Sequence, residues 1–190
     1  MAQNCSYVRN FHPYCASRCN DVAHCDRYHT LRGGSETMKL DAWDKKILTL
    51  LQCDNRLSQR EIADRVNLSP SAVNRRIAAL EAAGIISANV SVINASLVGR
   101  PITIMVQVKI ENERLDLLEE TKSRFVKCPQ VQQVYYVTGD FDFLLVINVR
   151  DMAEYETLTR ELFFACGNIK TFNTIVSMQN AKQQMTVIIE

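Results

Sequence analysis

From Leu40 the apolar positions Leu40, Trp43, Ile47 and Leu50 recur at helical spacing, with Asp41, Asp44, Lys45 and Lys46 on the other side. This predicted helix ends near Cys53-Asp54-Asn55. Ser58-Gln59-Arg60-Glu61 then reads as a capping box, with Leu57 and Ile62 as its hydrophobic staple. The second helix is short, because Asn67-Leu68-Ser69-Pro70 makes a turn ending in a new N-cap, Ser69. Pro70 takes the first helical position, where no amide hydrogen is needed. The third helix turns Val73, Ile77 and Leu80 inward and stops at Gly84. Beyond it the pattern becomes alternating. Ile86, Ala88, Val90 and Val92 share one face against Ser87, Asn89 and Ser91, a strand leaving the helical region, and residues 94–100 form a connector. Ile102, Ile104, Val106, Val108 and Ile110 form a strict period-two stripe opposite Thr103, Met105, Gln107 and Lys109. Residues 113–126 read as a helix through Leu115, Leu118 and Phe125, stopping at Cys128-Pro129. Strands at 131–138 and 141–149 flank a two-residue hairpin turn at Gly139-Asp140. Asp151-x-x-Glu154 caps a helix carrying Met152, Tyr155, Leu158 and Leu162, and residues 169–178 and 185–189 read as strands.

Three helices, the last two joined by a tight turn, are the helix-turn-helix pattern that presents its final helix to the DNA major groove. The outward side of that helix carries Ser71, Asn74, Arg75 and Ala78, with Arg76 at the flank. Arg pairs bidentately with guanine and Asn with adenine, and Ser71 near the helix N-terminus meets a phosphate. Residues 38–90 hold eight basic against six acidic side chains, a net of +2, so one copy has a modest phosphate grip that a dimer would double. The plain alternative is a three-helix bundle with solvated charges. The second half runs β-α-β-β-α-β plus a C-terminal strand, the ferredoxin-like plan with both helices on one face of an antiparallel sheet. Strand 141–149 is apolar on both sides, so the open face is expected to be covered by a second copy. The expected fold class is therefore α+β, an N-terminal winged-helix-like helix-turn-helix domain and a C-terminal ferredoxin-like domain. The expected boundaries are a poorly ordered leader over 1–37, the helix-turn-helix over 38–86, a linking strand and hinge over 87–100, and the ferredoxin-like domain over 101–190.

Composition changes this picture little. Across 190 residues, 22 Lys and Arg stand against 21 Asp and Glu, so no overall basic field announces a nucleic-acid partner. The apolar runs fall short of the roughly 20 residues of a membrane span, and the N-terminus lacks a signal-peptide core. A soluble cytoplasmic protein without a membrane partner is expected. All three histidines (His12, His24, His29) and four of the seven cysteines (Cys5, Cys15, Cys19, Cys25) lie in the first 29 residues, which leaves no Cys/His or Ser/His pair for nucleophilic catalysis in the main body. Cys15-x3-Cys19 with Cys25, His24 and His29 loosely resembles a zinc ligand set but lacks a matching second pair. The leader is instead read as lying outside the functional unit, with no metal or cofactor expected, and the chain is read as a non-enzyme. At the hairpin, Asp140 and Asp142 alternate about Phe141 and point to opposite faces, which is unsuited to a catalytic pair. Asp140 fits turn duty. Asp142 lies inside an apolar strand, so its carboxylate requires a partner, either a ligand ammonium or backbone amides.

These residues resemble the feast/famine regulators, the Lrp/AsnC family of transcription factors. The resemblance rests on the element order and on Leu68-Ser69-Pro70-Ser71, Arg76 and Leu80-Glu81-x-x-Gly84-Ile85-Ile86. It continues through Val137-Thr138-Gly139-Asp140-Phe141-Asp142-Phe143-Leu144-Leu145 and Asp151-Met152-x-x-Tyr155, and covers residues 38–190. It implies a DNA-binding homodimer, assembled further into tetramers or octamers, with an amino-acid effector bound at subunit interfaces that alters assembly or DNA affinity. It assigns DNA recognition to Ser69, Ser71, Asn74, Arg75 and Arg76. The effector pocket would use Thr138, Gly139, Asp140 and Asp142, lined by Met152 and by Thr174, Ile175, Val176 and Ser177. Two departures stand out: Ala78 and Ala79 occupy positions where many members carry basic residues, and the leader has no counterpart. The competing class is an amino-acid-binding module that controls an enzyme, which the second half alone would allow.

Overall fold

A computed structural model describes residues 38–190. The leader, with its candidate zinc ligands, lies outside the described residues. The chain divides into two units, one holding residues 38–91 together with Lys182–Glu190, the other Val92–Ala181.

In the first unit, α1 (Ala42–Cys53), α2 (Gln59–Val66) and α3 (Pro70–Ala82) pack around Ile47, Ile62, Ala63, Val66 and Val73. Their ends follow local chemistry. The Ser58 hydroxyl accepts the Glu61 amide while Glu61 accepts the Ser58 amide, closing the capping box. Asn67 takes the left-handed conformation (φ 57°) that turns α2 into α3, and the Ser69 hydroxyl caps α3 by accepting the Ala72 amide. Gly84 (φ 71°) ends α3, with the Ile85 amide donating to Leu80 O and the Gly84 amide to Glu81 O. That is a Schellman stop, in which a Cβ at Gly84 would be strained.

The α1 wheel differs from its sequence reading. Asp44, expected on the outer side, is 2% exposed, whereas Trp43, placed in the apolar stripe, is 44% exposed. The burial of Asp44 is explained by Arg76 on α3, whose Nη1 lies 2.7 Å from Asp44 Oδ1 and 2.7 Å from Asp41 Oδ2. Asp41 is also the N-cap of α1, accepting the Trp43 and Asp44 amides, and Asp44 accepts the Asp41 amide in return.

In the second unit, β1 (Ile102–Ile110), β2 (Val131–Tyr136), β3 (Phe143–Val149) and β4 (Ile169–Val176) form an antiparallel sheet in the order β2-β3-β1-β4. The helices are α4 (Leu115–Lys127) and α5 (Met152–Thr159), the latter running on into a π turn over Arg160–Phe164. They cover one sheet face, burying Ile104, Val106, Val108, Phe143, Leu145 and Ile147 against Phe125, Leu158 and Phe163. This is the expected α+β, ferredoxin-like arrangement.

Three expected strand features are absent or altered. Residues 87–93 form no strand, and Val90, Val92 and Ile93 stand exposed, Val92 by 87%. Residues 185–189 likewise form none. A strand exists only through a partner for its backbone groups, and neither segment has a strand partner among the described residues. The hairpin is also wider than two residues. The ladder stops at Tyr136↔Phe143 and the turn is closed by the Val137 amide on Asp142 O. Asp142 is drawn out of the hairpin because its own amide donates to Val108 O and its carboxylate accepts the Ile110 amide at 2.8 Å.

Candidate nucleic-acid interface and effector site

The DNA-facing candidate is α3, a helix of 13 residues spanning about 20 Å. Ser69, Ser71, Asn74, Arg75, Ala78 and Ala79 are all exposed on it. Ser69 Oγ and Ser71 Oγ lie 3.0 Å apart beside the open amides of the helix N-terminus. Hydroxyls and amides at a helix start are groups of the kind that bind phosphate. Asn74 is oriented by Gln59 of α2, whose Nε2 donates to Asn74 Oδ1 at 2.7 Å, leaving the Asn74 amide hydrogens outward. Gln59 was not singled out from the sequence; it sits directly after the Ser58 cap, at the first position of α2. Arg75 makes no ion pair among the described residues.

Arg76 has a different duty. Its guanidinium is held between Asp41 and Asp44, lies 5.8 Å from the Trp43 ring centre, and is 27% exposed. Hydrogen bonding to the Asp44 carboxylate raises the Arg76 pKa further, and the Asp44 amide, followed by Arg76, holds Asp41 below the usual carboxylate range. Arg76 therefore fastens α3 to α1. A guanidinium that leaves Asp44 abandons a buried carboxylate, so this side chain is committed to the α1 contact as the structure stands.

The residues expected to line the effector pocket fall into two groups. Thr138, Gly139 and Asp140 are exposed at the β2–β3 turn, with Gly139 at φ 131°. Asp142 beside them ties this turn to Ile110, one end of β1. At the other end of β1, the Ser177 amide donates to Thr103 O, and Ile175 pairs opposite Met105. Met152 starts α5 just beyond Val149, which pairs with Ile102 at this same end. The two groups are thus separated by the length of β1, roughly 25 Å at about 3.3 Å per residue.

The β4 residues are also split between faces. Thr174 lies opposite buried Val106, with its hydroxyl 2.6 Å from the Tyr155 Oη, and Val176 lies opposite buried Ile104. Burial pushes the Tyr155 phenol pKa up. Thr174 and Val176 therefore face the helices, while Ile175 turns to the uncovered face. There Met105, Leu144 and Val146 are half-buried, flanked by Ile175 and Tyr135, 41% and 48% exposed.

Beside Met152 the charged network is structural. Asp151 caps α5 by accepting the Glu154 amide, and Glu154 accepts the Arg150 amide, Gln130 Nε2 and Arg100 Nη1. The Arg150 amide, then Gln130 and Arg100, lower the Glu154 pKa.

A capped helix-turn-helix and a βαββαβ sheet with a Gly-Asp-Phe-Asp turn now stand in one chain. Residues 40–87 match the winged helix-turn-helix DNA-binding family, and residues 103–187 match the Lrp/AsnC ligand-binding domain. An HTH-type transcriptional regulator of Sinorhizobium fredii is 43% identical over 80% of this chain and 90% of its own length. The chain belongs to the Lrp/AsnC family. It is similar also to the leucine-responsive regulatory protein of Klebsiella pneumoniae, at 31% identity over 80% of this chain and 92% of that protein. Among solved structures, a transcriptional regulator of Neisseria meningitidis in complex with L-methionine superposes with a TM-score of 0.74 at 27% identity, covering 79% of this chain and 97% of that one. An AsnC family regulator of Agrobacterium tumefaciens gives 0.74 at 27% identity, covering 78% and 97%. As a Lrp/AsnC member, the chain is a transcriptional regulator with a DNA-binding helix-turn-helix and a ligand-binding domain. The helix-turn-helix match removes the ground for reading it as a ligand-binding module alone. No helix among the described residues is long and apolar enough to cross a membrane.

Proposed function

We propose that this Lrp/AsnC regulator acts in the cytoplasm as a homodimer or larger assembly, not as an enzyme, and that an amino acid bound between copies changes its grip on DNA. In this reading Asn74 and Arg75 meet base edges in the major groove, while Ser69 and Ser71 hold a phosphate at the start of α3. Arg76 contributes by holding α3 in place.

One observation carries the effector half of the reading: the candidate pocket residues lie at opposite ends of a sheet whose apolar face is uncovered. A two-fold pairing of that face with a second copy joins Thr138, Gly139 and Asp140 of one copy to Met152, Ile175 and Ser177 of the other. The amino acid's ammonium would meet the Asp140 carboxylate and the free oxygen of Asp142, and its carboxylate the turn amides. A ligand that binds one assembly better than another shifts the equilibrium toward it by its differential affinity.

Subunit mixing tests this. Asp140→Ala and Ser177→Trp chains should each lose amino-acid binding by calorimetry. Mixed and re-equilibrated, they should recover about a quarter of the wild-type sites, since half the dimers are mixed and each has one intact site. No recovery, in mixtures shown to exchange subunits, would place the pocket within one chain. The DNA half is tested by footprinting the region upstream of its own gene, where protection repeating at about 10 bp is expected. No protection at low salt at this or any genomic site would refute it.

A further inference from the structure

We propose that Gln52 is a positioning residue that latches the segment Lys182–Glu190 onto α1, making this segment a second tether through which the ligand-binding half of the chain sets the DNA-binding unit. The transmission part rests on the effector reading above; the latch does not.

The two amide atoms of Gln52 are spent on one residue of the far end of the chain. Oε1 accepts the Val187 amide at 2.7 Å, and Nε2 donates to the Val187 carbonyl at 3.2 Å. A side chain thus supplies the donor and acceptor pair that a neighbouring strand would supply, across 135 residues of sequence. Among the described residues no other hydrogen bond holds Lys182–Glu190. Side-chain burial adds little, since Met185, Val187 and Ile188 are all exposed and Ile189 alone among the segment's apolar residues is partly buried. The attachment of this segment therefore depends on Gln52.

The position of Gln52 gives the attachment a consequence. It lies in the last turn of α1, and Asp41 and Asp44, at the first turn of the same helix, hold Arg76 of α3. Segment, α1 and α3 form one connected chain of contacts inside the DNA-binding unit. The polypeptide passes between the two units twice, after Ser91 and after Ala181. A shift at β4, which leads directly into the second connection, is then felt at α1. Glutamine suits the task because it carries both a donor and an acceptor without charge. Glutamate of the same shape would set a carboxylate oxygen against the Val187 carbonyl.

The test uses the full chain. Trypsin cuts after Lys182, and release of 183–190 is followed by mass spectrometry, with hydrogen exchange at the Val187 amide. Gln52→Glu and Gln52→Ala should raise both rates about fivefold or more, the worth of one to two exposed hydrogen bonds. The urea midpoint read by Trp43 fluorescence should stay at the wild-type value, which separates unlatching from unfolding. In the same variants, amino-acid binding by calorimetry should persist, while the change in DNA affinity caused by a millimolar amino-acid mixture should fall at least threefold. Equal cleavage and exchange in wild type and variants overturn the latch. Protection that rises with protein concentration also overturns it, because another copy then holds the segment. Faster cleavage with an unaltered amino-acid response overturns the tether. A wild-type chain with no amino-acid response overturns the effector reading and the transmission with it, while cleavage and exchange still decide the latch.

Discussion

Replacing Arg76 with Met keeps most of the stem and removes the guanidinium, leaving Asp44 with a carboxylate that is 2% exposed and only the Asp41 amide for company at 3.1 Å. Removing one partner of a buried ion pair costs about 3–5 kcal/mol. Arg76 is itself 27% exposed and Asp44 keeps that amide, so the expected loss is about 2–3 kcal/mol. For a unit this small, that lowers the melting temperature by roughly 8–20 °C. Trp43, the chain's one tryptophan, lies against Arg76, so its fluorescence in urea follows this unit alone. Adding Asp44→Asn should recover half or more of the loss, since the amide needs no cation. DNA binding by Arg76→Met should fall only as far as unfolding removes competent molecules, and should return at temperatures where the unit is folded. A wild-type urea midpoint combined with lost DNA binding would refute this reasoning and put Arg76 on the DNA.

Arg75→Ala should leave the Trp43 midpoint unchanged while weakening binding to the preferred DNA site by about 1–3 kcal/mol, measured by fluorescence anisotropy against a scrambled duplex. Asp142→Ala strips the Ile110 amide of its acceptor and should destabilise the second unit by about 1–2 kcal/mol, whereas Asp142→Asn, which keeps an acceptor, should cost less than half of that; near-UV circular dichroism during urea unfolding distinguishes them. Asp41 in the first unit and Glu154 in the second both have lowered pKa values, from the Asp44 amide and the Arg150 amide first. Their stabilising contribution is complete above the ordinary carboxylate range and is lost as pH falls through the lowered folded values. Thermal midpoints of both units should therefore hold from neutral pH to about 5 and fall below about 4; a midpoint unchanged at pH 3 would contradict these pairings.

Local signals made much of the fold legible. Ser58, Ser69, Asn67 and Gly84 each announce a helix end through chemistry confined to a few residues, and the period-two stripe from Ile102 to Ile110 identifies the central strand. What escaped depends on partners remote in sequence. Asp44 reads as a surface acid until Arg76, 32 residues later, is seen against it. Residues 87–93 have strand alternation, yet alternation sets only which face a side chain takes and does not supply a neighbour. At the candidate effector site, the family motif located the turn at Thr138–Asp142 and the β4 segment, but a list of residues carries no position along the sheet. The parity of β4 was available, since Thr174 and Val176 must lie on the face opposite to Ile175 and Ser177. That the turn and β4 end lie far apart within one chain required the register of β1 against both neighbours.

That register also bears on how the chain folds. The strand at the centre, β1, bonds only to β3 and β4, which follow it by about 40 and 70 residues, whereas β2 and β3 adjoin. The hairpin can form alone, but β1 must wait for both long loops to close, and that closure entropy falls on the ligand-binding half. The three helices contact sequence neighbours and are expected to form first. In a stopped-flow experiment the slow phase therefore belongs to the sheet, and the Trp43 signal should be largely complete before it begins.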